Sequence, residues 1–162
     1  MKHALFLTLA LAAGNALAGA GHSGSHGSGH SAPTYSFGSP GQAAEVTRTV
    51  EVQATDDMRF MHEPFEIKQG ETIRFVVTNV GKISHEFSIG DLPSQRAHLA
   101  MMEKQPDMKH DDDPTATTLK PGETKEIIWK FDKPITTRIV FACFHPGHYE
   151  AGMKSEVAFA KK

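Results

Sequence analysis

Near the end of this chain, residues of types that donate to metal ions stand close together. Cys143, the only cysteine of the sequence, is followed by His145, His148 and Met153. A thiolate and neutral imidazoles in a trigonal set, with a weak thioether on the axis, form the ligand field of electron-transfer copper. Cys143, His148 and Met153 stand at Cys-x4-His-x4-Met, and the Pro146-Gly147 turn can fold the backbone so that the three side chains converge. The fourth ligand must come from elsewhere, and Ser84-His85-Glu86-Phe87-Ser88-Ile89 is the best source. This run alternates, so His85, Phe87 and Ile89 share one face of a strand that points into the apolar interior. The expected metal ligands are therefore His85, Cys143, His148 and Met153. His145 competes with His148, because strand alternation would turn it the same way as Cys143. The turn and the methionine spacing favour His148. Taken singly, a lone cysteine or methionine is usually core filler, and a strand histidine is more often a satisfied core residue than a ligand. The weight lies in their coincidence.

The elements that must position these residues read as short strands. Val46, Val50, Val52 and Ala54 share a face, Asp56-Asp57 turns the chain, and a second extended run covers Met58 to Ile67. Ile73, Phe75 and Val77 alternate with polar or outward partners before Asn79-Val80-Gly81-Lys82, and the His85 strand follows. Asp91-Leu92-Pro93-Ser94 has the cap and first-turn proline of a helix running to about Lys104, closed by Pro106. The segment up to Pro114 contains His98, Met101, Met102, Met108, His110 and Asp111 to Asp113, donors of which the thioethers and imidazoles suit Cu(I). For Met101 and Met102 helix packing is the stronger reading. Lys120-Pro121-Gly122-Glu123 has Pro and Gly at the centre of a type II turn. Ile127, Trp129 and Phe131, then Ile139, Phe141 and Cys143, then Met153, Val157 and Phe159 form inward-facing series. Short strands separated by turn signals, with one short helix, predict an all-β Greek-key β-sandwich.

The Cys-x4-His-x4-Met loop and His85 together resemble a cupredoxin, in particular the single-domain periplasmic cupredoxins associated with bacterial copper tolerance. The resemblance covers roughly Glu45 to Lys161. It implies the same cupredoxin-like sandwich, with the two ligand-bearing strands adjacent and the site at one end under an apolar lid. The same loop spacing occurs at the type 1 site of multicopper oxidases, but there histidines flank the cysteine and reach a trinuclear cluster. Here the flanks are Ala142 and Phe144, and no His-x-His pair occurs in the chain. Azurin-like proteins have one residue fewer before the methionine, and plastocyanin-like ones two fewer between cysteine and histidine.

Length and composition bound the rest. The chain has 162 residues, enough for one domain with short appendages. Lys2, the apolar run Ala4 to Ala13 and Ala16-Leu17-Ala18 read as a secretory signal peptide over 1–18. Residues 19–44 read as a disordered tail rich in Gly, Ser and His, in which His22, His26 and His30 recur every fourth residue. Such a tract serves equally as a loose, weaker accessory copper collector or as a solubilising linker. Residues 45–162 are the expected cupredoxin domain. A single cysteine in an oxidising compartment makes no internal disulfide, so its thiol must be masked by burial or by metal. A formal charge of −2 with no basic run gives no reason to expect nucleic acid as a partner. No segment approaches the roughly 18 consecutive apolar residues of a membrane span. No Ser/His/Asp set, phosphate loop or carboxylate pair points to an enzyme. The expectation is a periplasmic, monomeric copper-binding protein acting in copper tolerance or homeostasis by binding copper and one-electron cycling, with a redox protein as partner. The alternative is a soluble electron carrier between respiratory partners.

Overall fold

The computed structural model describes residues 34–110, 112–134 and 138–160. Apolar residues at every second position make β2 (Arg48–Thr55) and β4 (Thr72–Asn79), which bury Val50, Val52 and Ala54, and Ile73, Phe75 and Val77. These two strands pair in parallel, Val50 opposite Phe75. With β1 (Ser39–Pro40), β3 (Arg59–Met61) and β7 (Thr124–Lys130) they form a sheet in the order β1-β7-β4-β2-β3. The second sheet runs β6-β5-β8-β9, from Ala116–Leu119, His85–Asp91, Ile139–Ala142 and Lys154–Val157. The inner faces close on Phe75, Phe87, Trp129, Phe131 and Phe141, each at most 1 % exposed. This is the all-β Greek-key sandwich expected from the strand pattern, and the one α-helix among the described residues is α1 (Leu92–Met102).

The local signals mostly act as their chemistry requires. Asp91 caps α1 by accepting a 2.9 Å hydrogen bond from the Ser94 amide. Gly122 takes φ 77° in the Pro121-Gly122 turn, a conformation that glycine adopts at no steric cost. The expected strand from Met58 to Ile67 is shorter: only Arg59–Met61 pairs as a strand, and Ile67 makes an isolated bridge to Phe159. Pro64 interrupts the run, having no amide to donate.

Two corrections concern what is buried. The tail expected to reach residue 44 ends earlier, because Phe37 is 1 % exposed and stacks on Trp129 at 4.7 Å. The Trp129 indole N–H donates to the Phe37 carbonyl at 3.3 Å, and Ser39 and Pro40 pair with Lys130 and Trp129. The two aromatic residues of that segment, Tyr35 and Phe37, supply apolar area that the Gly/Ser run before them lacks. The second concerns β5, where alternation spoke only for the His85, Phe87 and Ile89 face, yet all seven of its residues are buried. Helix α1 lies over that face. Gln95 donates to the Val140 carbonyl at 2.7 Å, and the Ser88 hydroxyl donates to the Ala142 carbonyl at 3.0 Å.

Candidate metal centre

Strands β5 and β8 are neighbours, with Ser88 opposite Ala142, so the start of β5 and the residue after β8 meet at one end of the sandwich. His85 opens β5 and Cys143 follows β8; both side chains are fully buried. The loop from Cys143 to Met153 is folded by its own backbone. The His148 amide donates to the His145 carbonyl at 3.0 Å, Met153 to His148 at 3.0 Å, and Cys143 to Met153 at 3.1 Å. Gly147, at φ 82°, allows the tight reversal after Pro146. Arg59 Nη1 bonds the Met58 carbonyl at 2.7 Å and reaches the Ala151 and Gly152 carbonyls at 3.4 Å, which ties the loop to β3.

These constraints bring three donors together. One ligand atom from each of His85, Cys143 and His148 lies within 4.8 Å of the other two. His148 Nδ1 stands 3.4 Å from Cys143 Sγ, and the His85 and His148 ring centroids are 5.2 Å apart. His85 Nε2 faces Asp56 Oδ1 at 3.2 Å, whereas its buried Nδ1 has no hydrogen-bond partner. A buried imidazole nitrogen without a partner, beside a thiol and a second imidazole, is the arrangement a soft or borderline metal completes. The carboxylate of Asp56 holds the ring from its far side, as outer partners of metal-bound histidines do. Met153 is buried in the core with its amide and carbonyl bonded to the residues on either side of the site. His145 lies outside the three-donor group; its ring is 5.7 Å from that of His148.

Burial pushes the Cys143 thiol up to about 12, against the opposing effect of the Glu86 and His145 amides. The Glu86 amide donates to Sγ at 3.3 Å. A thiol so placed ionises when a metal takes the proton's position. Burial, the largest cause, also lowers the imidazole pKa of His145 and of His148 below its ordinary value, leaving neutral rings as potential donors. The structure brings together His85, Cys143 and His148 of the residues expected from the sequence, and adds neighbours that the sequence did not point to. Asp56 read as a turn residue and Arg59 as part of the extended run after it, and only the fold brings them to the site. The tail histidines His22, His26 and His30, expected as an accessory copper collector, lie outside the described residues.

A buried thiol and two imidazoles at the end of a two-sheet sandwich define a cupredoxin-type metal centre. Residues 45–160 match the family of copper binding proteins described as the plastocyanin/azurin family, and the chain belongs to it, with copper as its metal. The chain is similar to the copper-resistant cuproprotein CopI of Rubrivivax gelatinosus, 44 % identical over 95 % of this chain and 90 % of that protein. It is also similar to the copper-resistant cuproprotein CopI of Vibrio cholerae, 40 % identical over 74 % of this chain and 70 % of that protein. Among solved structures, dithionite-reduced auracyanin of Roseiflexus castenholzii superposes with a TM-score of 0.59 at 22 % identity, covering 72 % of this chain and 99 % of that one. An azurin of Methylomonas sp. strain J gives 0.53 at 13 % identity, covering 72 % and 100 %. At those identities the structures speak for the fold alone.

Proposed function

We propose that His85, Cys143 and His148 would hold one copper ion in a type 1 site with Met153 as a weaker fourth donor, and that the protein acts in copper tolerance. The observation that carries this reading is the convergence of Cys143 Sγ, His148 Nδ1 and a His85 ring nitrogen on one buried point. Copper there would supply one-electron exchange between Cu(I) and Cu(II). Cys143 would surrender its proton on loading, and the amides of Glu86 and His145 already face the sulfur that would then carry charge. Asp56 fixes the tautomer and direction of His85. The self-bonded loop and its Arg59 anchor keep the donors in place through a change of charge, so little movement accompanies electron transfer. Soft sulfur donors favour the Cu(I) state, and imidazoles accept either.

The copper-resistance names of the relatives support tolerance over simple carriage. So does the count of ten histidines and seven methionines, more than one site uses. We place the work in the periplasm, after removal of a leader over 1–18. No helix among the described residues is long and apolar enough to cross a membrane. Nothing in the site calls for catalysis of a bond-breaking reaction, and the role we assign is binding and redox cycling without a substrate. A host lacking the gene should lose growth on copper and regain it with the wild-type chain but not with Cys143→Ser. If the deletion leaves copper tolerance intact and slows respiration instead, the electron-carrier reading replaces this one.

A further inference from the structure

Beside the centre, β5 carries a second donor set on its other face. Glu86 follows His85 in the chain, is fully buried, and neither of its carboxylate oxygens has a hydrogen-bond partner. Oε1 lies 3.3 Å from Nε2 of His98 and Oε2 lies 3.5 Å from Nε2 of His110. One ligand atom from each of the three residues lies within 4.8 Å of the other two, and all three residues are buried. His98 comes from α1 and His110 from the segment after it, so three separate stretches of chain converge. The rings of His98 and His110 are 4.9 Å apart, and Phe144 covers His98 at 5.1 Å.

The plainer alternative is an internal Glu–His ion-pair cluster. Charge-assisted bonds of that kind run at about 2.7–2.9 Å, shorter than either contact here, and Nε2 of His98 has no hydrogen-bond partner. Among the described residues no lysine or arginine pairs with Glu86. A carboxylate taken out of water is strongly disfavoured unless a cation stands beside it. A bound divalent cation cancels that charge.

We propose that Glu86, His98 and His110 form a second, thiolate-free metal site for a divalent transition ion of the Cu(II) or Zn(II) class. Two imidazoles and one carboxylate are borderline donors that suit both ions, with Cu(II) the tighter by the usual order of affinities. A surface cleft of about 480 Å³, lined by Met101, Met108, His110, Asp112 and Asp113, gives a path from solvent to His110. The site shares no ligand with the first and stands or falls independently of the function proposed above. It is nonetheless adjacent to it: the amide of Glu86 bonds Cys143 Sγ while its carboxylate faces the other way, and Phe144 links Cys143 to His98.

The test uses the full chain with His22→Ser, His26→Ser and His30→Ser, which removes the tail imidazoles as competitors. The protein is first loaded with one equivalent of Cu(II), and Zn(II) is then titrated by calorimetry. One further equivalent should bind. His98→Phe and His110→Gln, neither of them on β5, should each weaken it at least tenfold while the visible charge-transfer band of the first site remains. No further equivalent in the parent chain, or equal zinc affinity in the parent and His110→Gln chains, overturns the proposal.

Discussion

At the scale of single residues, the site depends on which nitrogen each imidazole offers. Asp56 occupies Nε2 of His85 and leaves the buried Nδ1 without a hydrogen-bond partner, while His148 presents Nδ1 to Sγ at 3.4 Å. His145, which strand alternation alone would have allowed as a ligand, sits outside the group because the chain has already left β8 and entered its turn. His148→Ala should therefore abolish the copper charge-transfer band and His145→Ala should leave most of it; the opposite pattern in visible spectra would exchange their roles. Met153 is a tuning donor in this account. Met153→Leu should retain copper and raise the reduction potential, since the oxidised ion loses more stabilisation than the reduced one. The shift should be tens of millivolts by voltammetry, a tenfold change in relative affinity being about 59 mV for one electron. An unchanged potential would place Met153 away from the metal.

At the scale of elements, the inward placement of the proposed ligands was legible because each stands at or beside the end of an alternating series, and alternation is what a half-buried strand imposes. Ile139, Phe141 and Cys143 face inward as their spacing requires. The other faces were not legible. Val140, Ala142 and Phe144 are buried too, as are Glu86 and Ser88, because α1 covers them. A strand buried on both sides has no alternation to read, and no local signal says where a helix will lie. The segment around Phe37 was missed for a related reason: its Gly and Ser residues hid two aromatic anchors whose partner, Trp129, is 92 residues away. Phe37→Ala should thus lower stability by about 3–5 kcal/mol, as for other buried phenylalanines. Urea unfolding of the metal-free protein measures this, and a loss below 1 kcal/mol would return this segment to the tail.

At the scale of the whole molecule, a rigid sandwich holds a set of buried, neutral imidazoles. Burial lowers the pKa of His98, His145 and His148. The unfolded chain therefore takes up protons, below about pH 6.5, that the folded chain refuses. Their contribution to stability is complete above that pH and lost as pH falls through the lower folded values. Metal-free protein should melt at a lower temperature at pH 5 than at pH 7.5, and equal melting temperatures would contradict the burial of these rings. Copper uptake has the same sense, because Cys143 must release a proton to bind. That requirement gives the central claim its most direct measurement: visible absorption during titration of Cu(II) into the full chain and into Cys143→Ser. The wild-type chain should develop an intense thiolate-to-copper band that saturates at one equivalent, and Cys143→Ser should show none while keeping its fold by circular dichroism. A band that survives in Cys143→Ser, or fails to form in the wild-type chain, would contradict the assignment.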